Sequence, residues 1–297
     1  MNYWIKSAAV VIAASSSLVK AQSGHDTSDD SVMDGVIIEQ RAVLSKNTQG
    51  KGFGPQSPRD LDQKEGRNQR TFSAAPPATE MNLCNIHFHK NAEHKGGEFT
   101  QYAGNGDGHG YQSGYRYSGT LTSSERKSFE GEVCPSEPTG HSEHSQPSGL
   151  SVGDTIEAHY VYSTSQVQPG ATLGACFNDA IGNPQLRVET QVYVLVNDNN
   201  AGDFIELASV QEQNGKYQSV NIPSDTGTPI QYTGSTTGPT FNEKGSPFQV
   251  TWSVRPRVAK VDISSVGRWC ENNVFDENHA HGVRNLVVNP DLLSPMN

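Results

Sequence analysis

Residues 85–94 read NIHFHKNAEH, which places three histidines and a glutamate within ten positions. Neutral imidazole is the commonest protein ligand for metals, and its ionisation lies closest to neutrality. If LCNIHFH is a strand, Leu83, Asn85, His87 and His89 share one face and Cys84, Ile86 and Phe88 share the other. His87 and His89 then stand about 7 Å apart along the strand, close enough to converge on one ion. Zinc takes about four ligands, and a catalytic zinc keeps one position for water. A third protein ligand is therefore needed. The stretch TIEAHYVYS, residues 155–163, supplies one. It alternates Glu157, His159 and Val161 with Ile156, Ala158, Tyr160 and Tyr162, so His159 lies two positions beyond a carboxylate on its own face. A metal-bound imidazole needs its other nitrogen held. Glu157 can do that for His159, and Asn85 stands in the same relation to His87. A solvated polar strand would explain H-x-H by itself; the E-x-H strand downstream favours the metal. His25, His109, His141, His144, His279 and His281 are read as solvated loop or lead-in residues.

The elements that must carry these side chains are mostly strands. Hydrophobic content is 33%, against 29 glycines and 16 prolines, which favours a loop-rich β protein over a helical one. TQVYVLV is β-branched and apolar, as a central strand would be. NDNNAGD is a turn cluster, with FIELASV returning from it as a hairpin. FQVTWSVR alternates Val250, Trp252 and Val254 with polar residues. Residues 95–152 form an excursion rich in Gly, Ser and His, with one charged helical turn at SSERKSFE. The expected fold is mainly β. A single domain is built on a central twisted, largely antiparallel sheet, with long loops and few short helices.

The first 21 residues read as a signal peptide. MNYWIK gives a short n-region with a lysine, SAAVVIAASSSLV is too short to span a bilayer comfortably, and VKA places cleavage after Ala21. Residues 22–71 are a mostly flexible polar segment in which VIIEQRAVL could form one short helix or strand, and residues 72–297 are the folded domain. Export makes the protein secreted or periplasmic, with no membrane association after cleavage. Net charge is −10 with no run of Lys or Arg, which excludes a nucleic-acid groove. The four cysteines have no CxxC spacing, and in an oxidising compartment they imply two disulfides. Three connectivities are possible. Proximity along the chain, the one guide available, favours Cys84–Cys134 and Cys176–Cys270. Oligomeric state is not encoded in any pattern of the sequence.

Four segments in order resemble a known family. HFHKNAEH is similar to the first zinc strand of the carbonic anhydrases, H-F-H-x-P-S-E-H in bacterial alpha-class forms. IEAHYVY resembles their second, E-x-H-x-V-H. YTGSTTGP (232–239) resembles Y-x-G-S-L-T-T-P-P, and QVTWSV (249–254) resembles C-V-T-W-x-V. The long insertion between the zinc strands and the wording NIHFHKNAEHKGG are most similar to the delta class. The resemblance implies Zn²⁺ on His87, His89 and His159, with Glu157 orienting His159 and Asn85 behind His87. It implies reversible hydration of CO₂ to bicarbonate and a proton by zinc-bound hydroxide. Glu93 falls where the family has its gate-keeping glutamate. The partner threonine is Thr237 when aligned without a gap from Gly234 and Ser235, and Thr236 when aligned on the Thr-Thr pair. Val161, Val250 and Trp252 match positions of the apolar CO₂ pocket. The family's upstream proton-shuttle histidine has no counterpart, because residues 26–86 contain no histidine; a loop histidine, buffer or water chain must serve.

Two rivals differ in class. H-x-H-x₃-E also fits a cupin-like metalloenzyme using His87, His89, Glu93 and a further histidine, but the later G-x₂-H-x₃-N strand of cupins is missing. A non-catalytic exported zinc-binding protein is the other, consistent with ten histidines.

Overall fold

The computed structural model describes residues 33–49, 56–108, 112–135, 149–237 and 244–296, without the side chains of residues 236, 237 and 245–247. Six strands form the main sheet: β1 (Asn82–Lys90), β2 (Thr155–Ser163), β3 (Leu186–Val196), β4 (Ile230–Thr237), β5 (Gly245–Val254) and β6 (Ala259–Asp262). Their order is β1-β2-β3-β5-β4, with β6 beside the end of β3 that β5 leaves uncovered. The pairs β1/β2, β2/β3 and β4/β5 are antiparallel, whereas β5 and β6 run parallel to β3. The mainly β expectation holds, and the sheet is mixed. β3 is buried along its whole length, as a strand flanked on both edges and covered on both faces must be.

The two faces of the sheet carry different work. Ile86, Phe88, Ala158, Tyr160 and Tyr193 pack on one side, against Phe204 and Trp269. Phe204 belongs to α2 (Phe204–Leu207) and Trp269 to α3 (Ile263–Glu271). The rings of Phe88, Phe204 and Trp269 lie 5.1–5.7 Å apart, mutually tilted or edge-on. Val161, Val188, Val192, Val250, Trp252 and Val254 pack on the other side. The stretch FIELASV, expected as a returning strand, begins instead with α2. Asp203 accepts a hydrogen bond from the Ile205 amide at 2.8 Å and starts a helix there. SSERKSFE holds a turn at residues 123–126.

Part of the polar N-terminal segment is ordered by contacts its own pattern does not advertise. Helix α1 (Asp34–Thr48) buries Ile37, Leu44 and Thr48. Leu44 packs with Val287, Leu292 and Leu293 near the other end of the chain. Arg59 is fully buried and donates to the carbonyls of Ser294 and Gln63. The Arg67 and Asn68 amides donate to Pro290 and Leu293. Within the segment read as mostly flexible, α1 covers VIIEQRAVL, and Arg59, Arg67 and Asn68 are held against the C-terminal residues. Residues 1–21 lie outside the described residues. No helix among the described residues is long and apolar enough to cross a membrane.

Both disulfides differ from the expected pairing: they are Cys84–Cys176 and Cys134–Cys270. The register between β1 and β2 shifts between Leu83 and Asn85. That bulge keeps Leu83 with Ile86 and Phe88 and turns Cys84 to the opposite face, against Val161. The short helical turn Leu173–Cys176 follows the end of β2, and the Gly170 amide donates to the Cys84 carbonyl, so Cys176 arrives beside Cys84. Cys134 packs against α3, which carries Cys270. Chain proximity was a poor guide because the excursion after β1 crosses to the other face of the sheet. Peptide mapping without reduction should recover these two pairs. The double variant C84S/C176S should lose on the order of 3 kcal/mol of stability in urea unfolding, the scale expected for closing a long loop. A loss below ~0.5 kcal/mol would contradict a bridge that constrains the chain across 92 residues.

Candidate metal centre

The antiparallel register places His87 directly opposite His159 and His89 opposite Glu157. Residues opposed in this way point to the same face, so one face of the β1/β2 pair carries all three imidazoles. Their rings lie 4.8–5.4 Å apart. The nitrogens of His87, His89 and His159 that could ligate an ion all lie within 4.8 Å of one another.

Each ring is held from behind by a different acceptor. Asn85 Oδ1 accepts from His87 Nδ1 at 2.6 Å. The Asn85 amide cannot flip without loss, because its Nδ2 donates to the Gly170 carbonyl. The Gly282 carbonyl accepts from His89 Nδ1 at 2.6 Å. Glu157 Oε1 accepts from His159 Nε2 at 2.7 Å. Every imidazole proton is therefore directed outward, which leaves lone pairs on His87 Nε2, His89 Nε2 and His159 Nδ1. Burial, with the neighbouring imidazoles, holds His87 well below its usual range and His89 down to about 4. His87 and His89 are therefore neutral at pH 7.

His87 Nε2 and His159 Nδ1 face each other at 3.3 Å. Two lone pairs at that separation repel unless a cation lies between them. Tetrahedral zinc with Zn–N of about 2.0–2.1 Å has an N···N edge of about 3.3–3.4 Å. The donor set fits such an ion in type, and the His87–His159 pair fits it in spacing.

Glu157 is fully buried and serves two histidines. Its Oε1 also accepts from His94 Nδ1 at 2.7 Å, and its Oε2 accepts from the His94 amide. Burial alone would raise its pKa; His94 and His159 overturn this and hold the carboxyl well below the usual carboxylate range. Tyr232, whose phenol burial pushes well above its normal value, donates to His94 Nε2 at 2.6 Å. Proton direction is fixed along the whole chain from Tyr232 through His94 and Glu157 to His159.

Glu93 is buried, and its Oε1 accepts from the Arg284 amide. It lies 3.8 Å from His89 Nδ1, the nitrogen turned away from the convergent lone pairs. That places it behind the ligand set, where the cupin-like arrangement would need it within. β1 ends at Lys90, and the next residue, Asn91, takes a positive φ of 68°, a conformation Asn tolerates better than most residues. The chain turns there and carries Glu93 and His94 beneath the sheet. Val161, Val250 and Trp252 are buried in one cluster, and the Trp252 ring lies 5.2 Å from that of His159. Thr236 and Thr237 fall at the end of β4, past a register shift after Ser235; their side chains are outside the described residues.

His94, Tyr232 and Gly282 have no role in the sequence reading. His94 could have been found in the quoted motif itself, five residues after His89; the Gly282 carbonyl carries no signal in a sequence. His281, expected to be solvated, is half-buried, with its ring 5.4 Å from His87 and 5.8 Å from His89. It reaches this place because the His281 amide donates to the Phe88 carbonyl and covers the outer edge of β1. His109, His141 and His144 lie outside the described residues.

The model of the delta carbonic anhydrase family matches residues 78–265, which span both histidine strands and most of the sheet. The chain belongs to that family. It is accordingly a carbonic anhydrase, an enzyme of CO₂ hydration. No curated protein sequence matches it. Among solved structures it is similar to the Photobacterium profundum alpha-carbonic anhydrase, at 17% identity over 80% of this chain and 88% of that one, with a TM-score of 0.26. The alpha-carbonic anhydrase from Thermovibrio ammonificans, solved with sulfanilamide, gives 14% identity, 78% and 84% coverage and a TM-score of 0.26. A hyperthermostable carbonic anhydrase from a hydrothermal vent chimney gives 15%, 79% and 85%, and 0.27.

The buried neutral imidazoles have a consequence for the metal-free chain. Folded His89 takes its proton only near pH 4, against 6.5 for the free side chain. The unfolded chain therefore binds that proton first as pH falls. Stability should be full above about pH 6.5 and decline towards pH 4, by an amount on the order of 3 kcal/mol from His89. Urea unfolding of chelator-stripped protein across this range checks it, with His89→Asn as the reference. Identical pH profiles for the two proteins would contradict a depressed His89.

Proposed function

We propose that the chain hydrates CO₂ reversibly to bicarbonate and a proton with Zn²⁺ held by His87 Nε2, His89 Nε2 and His159 Nδ1. One observation carries this reading: three imidazoles give every proton away from a common point, and two of the facing nitrogens stand 3.3 Å apart. A dipositive zinc with three neutral ligands and an open position lowers the pKa of bound water to about 7, which supplies hydroxide at neutral pH.

The chain's own residues do the rest. Glu157, Asn85 and the Gly282 carbonyl fix the tautomer and aim of each ligand, which raises its basicity. Glu93 is read as the acceptor at the end of a directional hydrogen-bond chain. A threonine hydroxyl, from Thr237 or Thr236, accepts from the reacting oxygen and donates its own proton to the carboxylate, which can only accept. Val161, Val250 and Trp252 are read as the apolar wall for CO₂, which has no net charge to grip. No charged side chain is needed there.

We also read residues 1–21 as a signal peptide, with the protein secreted or periplasmic, and residues 72–297 as the catalytic domain. Two disulfides support an oxidising compartment. CO₂ and bicarbonate are the proposed small-molecule partners.

Metal analysis of the purified protein should find tightly held zinc, and CO₂ hydration should vanish with a strong chelator and return with Zn²⁺. His159→Ala should strip the metal or hold it loosely; full zinc occupancy and activity in that variant would sink the assignment. Glu93→Gln should slow hydration by tenfold to a thousandfold, the scale of one preorganised contact at a reacting oxygen, with zinc content unchanged. Release of zinc by Glu93→Gln would instead make Glu93 a ligand.

A further inference from the structure

The Gly282 carbonyl and the Arg284 amide reach the metal centre from residues 282–289, a strap with no regular secondary structure of its own. The strap leaves β1 where the His281 amide donates to the Phe88 carbonyl at 2.8 Å and the Lys90 amide donates to the His281 carbonyl at 3.2 Å. The Gly282 carbonyl then accepts from His89 Nδ1 at 2.6 Å, and the Arg284 amide donates to Glu93 Oε1 at 3.3 Å. A helix or a central strand would fix such groups through its own hydrogen bonds. An irregular segment is fixed by what packs on either side of it. On the inner side Val283 and Arg284 are buried. Arg284 is a poor anchor. Burial lowers its pKa to about 10, and its Nε and Nη2 meet no hydrogen-bond partner among the described residues. A buried unpaired donor costs free energy that is recovered if the strap lifts into water.

The outer side is covered by α1. Leu44 packs with Val287 of the strap and with Leu292 and Leu293 beyond it. Asn285 Nδ2 donates to Gln40 Oε1 at 2.8 Å, and Asn289 Nδ2 donates to Ser45 Oγ at 3.0 Å. Gln40 and Leu44 are four positions apart and share one helix face. The helix in turn depends on this contact. It has 15 residues, no side-chain cap at its N-terminus and three buried residues. A helix of that length is marginal in water by itself. α1 is therefore an element with two states, docked on the strap or released from it.

We propose that α1 is a clamp on the metal centre: docked, it holds the strap inward and so positions the Gly282 carbonyl behind His89 and the Arg284 amide on Glu93. Gln40 and Leu44 are positioning residues, acting through the strap and touching no reacting atom. The proposal rests on the reading of His89 as a zinc ligand and Glu93 as the terminal acceptor. Docking of α1 and binding of the ion are then linked, and linkage is reciprocal. Release of α1 lowers zinc affinity, and zinc protects α1 against release.

The test compares full-length wild type with Leu44→Ala, with Leu44→Met, which keeps the volume, and with Val266→Ala, which opens a cavity on the other face of the sheet. Hydrogen exchange of chelator-stripped protein, read by mass spectrometry, follows α1 and the amides of His281, Arg284 and Val287, each of which has an acceptor in the docked state. Leu44→Ala should speed exchange in α1 and at all three strap amides. Its affinity for Zn²⁺, measured by competition with a chelator, should fall by about fivefold to a hundredfold, the scale of disturbing a group behind a metal ligand. Leu44→Met should restore both. Val266→Ala should lower the melting temperature and leave zinc affinity and strap exchange as in wild type. In wild type, Zn²⁺ should slow exchange in α1. The proposal is overturned if Leu44→Ala frees α1 while the strap amides stay protected, if it frees both and zinc affinity does not change, or if Val266→Ala lowers zinc affinity as much. A wild type that takes up no zinc would instead sink the three-histidine centre, and the exchange pattern alone would then decide the clamp.

Discussion

Glu157 is a carboxylate with no access to water, and its ionised state has to be maintained by the protein alone. Removing such a group from solvent costs several kcal/mol even after relaxation. Three donors meet it: His94 Nδ1, the His94 amide and His159 Nε2. Hydrogen bonds to a charged group are worth about 1.5–3 kcal/mol each, so three of them offset the penalty and two would barely do so. His159 on β2 and the turn after β1 are coupled through this one residue. If His94 moves, Glu157 loses two donors, and the constraint on the His159 tautomer goes with them.

That coupling explains why the site needs the sheet in its observed register. β1 brings His87 and His89, β2 brings Glu157 and His159, and the turn at Asn91 brings His94 back under the pair. β3 contributes none of these histidines, but it fixes β2 on one side and aligns β5 on the other, with Val188 between Val161 and Trp252. Tyr232 on β4 pairs with Trp252 on β5 and reaches His94 from there. A slip of one residue anywhere in this row would turn every inward side chain outward. The disulfide at Cys84 sits next to the bulge that precedes His87 and His89, and so protects the register where β1 is least regular.

Strand periodicity made the centre legible. The alternation of LCNIHFH and TIEAHYVYS placed His87, His89, Glu157 and His159 on one face, and the register shows them there. Asn85 was equally visible, since its side chain stands two positions from His87. The same alternation misplaced Cys84, because a bulge inserts a residue that no period-two pattern reveals. The disulfide partners were illegible for a related reason: the helical turn at Leu173–Cys176 and the packing of Cys134 on α3 are long-range facts. VIIEQRAVL left helix and strand open for the stretch that became α1, and its packing was illegible because Leu44 is buried by Leu292 and Leu293, residues more than two hundred positions away in sequence. His281 was set aside for its loop location, yet its backbone completes the edge of β1.

Histidine in this molecule is sorted by what holds its second nitrogen. His94 has acceptors and donors on both sides, Glu157 on Nδ1 and Tyr232 on Nε2, so no lone pair remains for an ion although it lies beside His159 and Glu157. The grouping of His94, Glu157 and His159 is close enough to suggest a second binding set. The hydrogen bonds exclude it, because both His94 nitrogens and Glu157 Oε1 are already engaged. His87, His89 and His159 each have one nitrogen tied to an acceptor and one turned inward. The tautomers follow from placing one acceptor, an amide, a backbone carbonyl or a carboxylate, behind each ring. Histidines with a nitrogen left for an ion and histidines without one can therefore have the same burial and nearly the same neighbours. They differ in whether a donor such as the Tyr232 phenol faces the remaining lone pair.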